Sequence, residues 1–128
     1  MDRLALVELI EAQKLKLSPH ARELWDEFDA LIYLSEDDRM HFTPEEKKVM
    51  NHMAKLPRPD KLVLAPLRLL RAGLISSDYA ESKGEPGEPH RKGAVISAAR
   101  ALDAWEGRQW GSYTTVEQAL ARLEEDHS

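Results

Sequence analysis

The longest apolar run of the chain lies near its middle, at residues 62–75. Ten of these fourteen residues are Leu, Ile, Val or Ala, which predicts that the run lies at the centre of a hydrophobic core. A polar segment with three glycines and two prolines follows at 82–93. Proline lacks an amide donor and glycine favours irregular backbone, so we expect an exposed, irregular loop at about 78–93. A small β-hairpin or wing is the alternative there.

Elsewhere, apolar positions recur at the spacing of amphipathic helices. The clearest stripe follows Ser18-Pro19, an N-cap and a proline at the first helical position. It consists of Ala21, Leu24, Trp25, Phe28, Leu31 and Ile32. Further helices are predicted at roughly 2–16, 43–56, 95–105 and 116–123, with caps at Asp2, at Thr43 and at Thr114 or Thr115. The chain is therefore predicted to be all-α, a compact bundle of five or six short helices forming a single domain over 1–128.

The helix that carries the apolar run begins at Asp60 and contains two residues that disfavour helix. Pro66 is too far from Asp60 to lie in the first turn, so either the helix kinks there or a short turn joins two helical pieces. Gly73 is expected to be the residue that ends the helix.

The composition excludes several classes of protein. The chain has 128 residues and no cysteine, which excludes disulfide scaffolds, thiolate metal sites and cysteine nucleophiles. The first residues lack the basic and apolar regions of a signal peptide, and the run at 62–75 is too short for a membrane span and contains two arginines. We therefore expect a cytoplasmic protein without a membrane partner.

Charge is distributed unevenly along the chain. The net charge is −5, yet residues 54–100 contain nine basic and five acidic side chains, which gives +4. Two interpretations are open. The basic side chains can pair with carboxylates of the same molecule, or they can form a patch that faces an anionic partner.

The sequence does not contain an assembled catalytic signature. No carboxylate interrupts an apolar stripe, where burial would raise its pKa for acid–base work. Gly84 and Gly87 lack the preceding strand and the following lysine of a phosphate-binding loop. We expect a protein that is not an enzyme and that needs no cofactor or metal.

Part of the chain resembles a winged helix-turn-helix domain. Thr43 to Leu56 would be its first helix, and Leu67 to Ile75 resembles the end of its recognition helix. Residues 76–97 would then form the wing and 98–106 the closing helix. The resemblance implies a DNA-binding regulator that uses the basic middle segment, residues 54–100, in which duplex DNA is contacted by Arg68, Arg71, Lys83, Arg91 and Lys92.

The preferred hypothesis is a non-catalytic adaptor, inhibitor or regulatory subunit that acts by binding another protein. Trp110 and Tyr113 lie in a Gly/Ser turn and are the candidate anchors for that partner, because aromatic side chains dominate binding interfaces. Alternatively, the two aromatic side chains close the core over the last two helices. A homodimer also stays open, since an apolar run as dense as 62–75 can be buried between two subunits.

Overall fold

The computed structural model describes residues 1–34, 42–109 and 112–125, without the side chains of residues 32–34. The described residues form six α-helices and no strand. The helices are α1 (Arg3–Lys14), α2 (Pro19–Leu34), α3 (Pro44–Ala54), α4 (Arg58–Ser82), α5 (Glu88–Trp105) and α6 (Val116–Glu124). The predicted all-α bundle is confirmed.

Side-chain caps fix where several of the helices begin. The carboxylate of Asp2 accepts a hydrogen bond from the Ala5 amide at 2.8 Å, and Thr43 Oγ1 accepts one from the Glu46 amide at 3.2 Å. At α6, Thr115 and Gln118 form a complete capping box. These interactions satisfy amides that have no partner inside the helix. The caps predicted at Asp2 and Thr43 are confirmed, and the last helix uses Thr115.

Helix α4 is longer than predicted and continues through both Pro66 and Gly73. Its 25 residues span about 37 Å at the usual rise per residue. The expectation that Gly73 ends the helix is wrong, and its role is in packing. A Cβ atom at Gly73 would lie 2.1 Å from the Ala94 Cβ, so the absent side chain lets α5 approach the α4 backbone closely.

The irregular loop predicted at about 78–93 is reduced to residues 83–87, and no wing forms there. The helix instead ends at Ser82. Gly84, just beyond the C-cap Lys83, adopts φ +78°, and the Glu85 amide donates to the Ala80 carbonyl at 2.9 Å. This is a Schellman end, which requires the left-handed backbone that glycine adopts easily. Helix α5 then begins at Glu88 and places Pro89 in its first turn, where a missing amide donor costs nothing.

The core lies along one side of α4, which packs extensively on α5. Helix α1 runs antiparallel to α4, since Arg3 at its start pairs with Asp78 near the end of α4. The buried apolar side chains of the core include Leu6, Trp25, Leu67, Leu70, Val95, Leu102 and Leu123. At the start of α4 the buried Asp60 carboxylate accepts hydrogen bonds from the amide and the hydroxyl of Ser18, at 2.9 and 2.8 Å. The cap of α2 is thereby tied to α4.

Helix α6 is held on α5 by a buried group of charged side chains. Arg122 Nε donates to the Asp103 carboxylate at 2.6 Å, and both side chains are almost fully buried. Arg122 also pairs with Glu106 and Glu125. Buried charges are tolerated only when they are paired in this way. The network therefore fixes the position of the short C-terminal helix.

Candidate protein-binding groove

An open groove of about 930 Å³ lies between α3 and α4, and the end of α5 borders it. Its largely apolar lining comes from α2, α3, α4 and α5 and from Phe42, which precedes α3. Its lining includes Phe28, Phe42, Met50, Leu64, Arg68, Leu69, Ala72, Ile75 and Trp105. We call this surface the α3–α4 groove.

Burial separates the floor of the groove from its rim. Phe28 and Leu64 are buried and form the floor. Leu69, Ile75 and Trp105 are 37%, 39% and 45% exposed, although each is a large apolar residue. Isolated exposed apolar residues are ordinary, but several along one concave surface are typical of an interaction site.

The groove opens because α3 diverges from α4 after the short turn that joins them. Helix α3 ends at Ala54 and α4 begins at Arg58, with Pro57 between them. From there α3 packs mainly on α2, whereas α4 packs on α1 and α5. The apolar residues of 62–75 are distributed around nearly the whole circumference of α4. Helices α1 and α5 cover only part of that circumference. Leu69, Ala72 and Ile75 lie on the face that is left.

Among the described residues that line the groove, the accessible charges are positive. Lys61 and Arg68 line it, and neither forms a salt bridge with another described residue. The Arg68 guanidinium lies 5.6 Å from the centre of the Phe28 ring, a cation–π contact that leaves it exposed. The two other charged side chains of the lining are buried and engaged within the chain: Glu46 contacts Thr43, and Arg71 pairs with Asp29.

The structure does not gather the five predicted DNA contacts on one surface. Arg71 and Arg91 are buried, and Arg91 pairs with Glu81 at 2.7 Å and also donates to the Met1 carbonyl. Lys83 lies at the end of α4, 4.5 Å from the Tyr79 ring, while Lys92 lies near Met1 and Thr115. Only Arg68 and Arg71 line the same groove. Arg71 and Arg91 therefore follow the first interpretation of the basic middle segment, in which basic side chains pair with carboxylates of the same molecule.

The two predicted anchors for a protein partner have different outcomes. Trp110 lies outside the described residues. Tyr113 is partly buried against the core, and its hydroxyl donates to the Asp103 carboxylate at 2.6 Å. Burial and this hydrogen bond raise the pKa of Tyr113 above its usual range. The side chain therefore belongs to the network that holds α6, which corresponds to the alternative in which it closes the core.

The arrangement of the groove supports binding better than acid–base chemistry. The one carboxylate among the described residues of its lining, Glu46, is buried beside the Thr43 hydroxyl. Among the residues that the structure describes, no three His, Asp or Glu side chains cluster in a way that would hold a metal ion. In the same ranges, none of the helices combines the length and the apolar character that a bilayer crossing requires.

The apolar run at 62–75 and the stripe at 95–105 predict that Leu69, Ile75 and Trp105 lie in the core, so the sequence does not reveal the groove. One signal was present in the pattern. Residues 65, 68, 69, 72 and 75 share one face of a continuous α4, and that face contains Arg68 and two alanines rather than large apolar residues throughout. The expected break at Gly73 concealed the continuity of this face.

Comparison with known proteins identifies no relative. No family model matches the sequence, and no curated protein or solved structure matches it.

Proposed function

We propose that this protein is a non-catalytic binding protein that takes a helical segment of a partner protein into the α3–α4 groove. The observation that carries the proposal is the concave row of exposed apolar side chains between α3 and α4, with Arg68 beside it. Grooves of this kind bind the apolar face of an amphipathic helix.

The residue types of the groove support this function. Phe42, Met50, Trp105 and Arg68 belong to the types that are enriched in protein interfaces, where they act as anchors. The rim combines exposed apolar side chains with the Arg68 cation. A partner can therefore bury apolar side chains there, and a carboxylate on the partner can pair with Arg68 and orient it. A volume of about 930 Å³ accommodates several apolar side chains, and the groove opens to solvent.

The experiment compares three versions of the protein as immobilised bait. The wild type is expected to retain a partner that the double variant Leu69→Glu, Ile75→Glu loses, because two carboxylates in the groove oppose apolar docking. Tyr79→Glu is the matched control, since Tyr79 is 62% exposed on the same helix but does not line the groove. It should retain the partner.

A photo-crosslinking residue at position 72 then tests whether the partner contacts the groove directly. Ala72 is exposed and lines the groove, so crosslinking there should capture the same partner, and a crosslinker at Lys92 should not. Circular dichroism establishes that each variant is folded. Equal retention of every partner by the wild type and the double variant would contradict the proposal, and so would the absence of any partner.

A further inference from the structure

The surface of α1, together with its C-cap residue Leu15, carries a stripe that matches the α3–α4 groove. Leu4 and Leu15 are 66% and 67% exposed, the highest values among the large apolar side chains of the described residues. Glu8 and Glu11 lie between them and are also exposed. At 100° per residue these four positions fall within one narrow face of the helix. The chain thus presents a convex helix face with apolar ends and an acidic centre.

Spacing and charge make this stripe complementary to the groove. Leu4 and Leu15 are eleven residues apart, as are Leu64 and Ile75 along the groove, and each pair spans about 16 Å on an α-helix. Arg68 lies four residues after Leu64 and seven before Ile75. A helix laid along α4 in either direction therefore brings Glu8 or Glu11 to Arg68 when the leucines reach the two ends.

The two glutamates are available for such a pairing. Neither forms a salt bridge with another described residue, whereas the basic side chains of α1 are engaged: Arg3 with Asp78 and Lys14 with Asp26. The groove is concave, and two concave surfaces do not fill each other. Groove-to-groove pairing would also bring Arg68 and Lys61 of both copies together, which is unfavourable. The surface of a second copy that fits the groove is therefore α1.

We infer that the α3–α4 groove binds α1 of a second copy of this chain, with Leu4 and Leu15 on its apolar surface and Glu8 or Glu11 at Arg68. This inference rests on the proposed function, of which it names one partner. Two copies that insert α1 into each other form a closed dimer, and insertion in one direction only forms open chains.

Sedimentation equilibrium over a range of protein concentrations tests the inference. The wild-type mass should rise above that of one chain as the concentration increases. Arg68→Glu and the double variant Glu8→Lys, Glu11→Lys should each weaken association about tenfold, because they replace attraction by repulsion across one contact. Lys48→Glu is the matched control: Lys48 is exposed on α3 and lines neither the groove nor the surface of α1, so its reversal should leave association unchanged.

Mixing the two charge-reversed proteins gives the sharper result. In the mixture the carboxylate introduced by Arg68→Glu meets the basic α1 of Glu8→Lys, Glu11→Lys, and the two unmodified surfaces also meet. Association should recover in the mixture although each protein alone associates weakly. A wild type that stays monomeric, or association that is insensitive to these charges, overturns the inference.

These outcomes are separable from the failure of the proposed function. Suppose that the wild type is monomeric, and that the wild-type bait retains another protein which the Leu69→Glu, Ile75→Glu bait loses. The groove then binds that protein, and only the inference fails. If that bait keeps every partner, the groove is not the binding surface and both fail.

Discussion

The two long sides of α4 are packed in opposite ways. On the side of α5, Gly73 and Ala94 bring the two backbones into close contact, and the Asp103–Arg122 pair then fixes α6 on α5. On the side of α3, Leu69 and Ile75 stay partly exposed over an open groove. On the first side the two helix backbones meet closely, whereas on the second the alanines and the Arg71–Asp29 pair line a groove that no described helix fills. The comparison separates the residues that hold the fold from those that are available to a partner.

The largest expected contrast is between two arginines, one from each side. Replacing Arg122 by Ala leaves the Asp103 carboxylate buried beside an empty site, and it should lower the free energy of unfolding by about 3–5 kcal/mol. Replacing Arg68 by Ala removes one exposed cation–π contact and should lower it by about 0.5–1 kcal/mol. Urea unfolding followed by circular dichroism measures both. Equal losses would show that the two sides do not differ as described.

Two adjacent leucines of α4 give the next contrast. Leu70 is fully buried, so Leu70→Ala removes packed atoms and leaves a cavity, which should lower the free energy of unfolding by about 2–5 kcal/mol. Leu69 lies in the groove and is 37% exposed, so Leu69→Ala should change it by less than about 1 kcal/mol. Both substitutions change the same residue type in the same helix. A Leu69 variant as unstable as the Leu70 variant would place Leu69 in the core.

Adding one methyl group at either of two glycines should have opposite effects on stability. Gly73→Ala forces α4 and α5 apart and should destabilise the protein by about 1–3 kcal/mol. Gly93→Ala meets no atom within 4 Å and should stabilise α5 by about 0.5–1 kcal/mol, because alanine favours helix. Thermal unfolding of the two variants measures the difference.

The exchange Gly73→Ala with Ala94→Gly moves the methyl group from α5 to α4. It should recover most of the loss, since the crossing regains its space and the helix propensities of the two helices change in opposite directions. If Gly73→Ala alone is harmless, the close approach of α4 and α5 does not depend on that glycine.

Local chemistry was sufficient to predict much of the fold. The caps at Asp2, Thr43 and Thr115 act within their own first turns, so the sequence around each cap determines where the helix begins. The burial of Leu67 and Leu70 was predictable for a similar reason, because the run at 62–75 is too apolar to leave the core.

The limits of α4 and α5 depend on distant residues and were not predictable in this way. Gly73 was expected to end a helix because of its propensity, but contact with Ala94, twenty-one residues later, outweighs that cost. Gly84 has the same propensity and does end α4, since its backbone adopts positive φ. The sequence offers both glycines, and the tertiary packing selects between them.

The candidate site was less predictable than the fold. A basic side chain is available to a partner only if the chain does not pair it, and Arg71 pairs with Asp29, which lies on another helix. Arg68 is three residues away and lacks such a pair, although both residues look alike in the sequence. The groove itself arises from the divergence of α3 and α4, which no single helix pattern records.

The positions of two tryptophans provide an optical readout of these two regions. Trp25 is buried in the core, and Trp105 is 45% exposed at the rim of the groove. Indole emission shifts to the blue when water is excluded from the ring. Occupation of the groove therefore shifts the emission of Trp105 to the blue and leaves the emission of Trp25 unchanged. In a Trp110→Phe background, loss of the core and filling of the groove therefore produce spectral shifts of opposite sign.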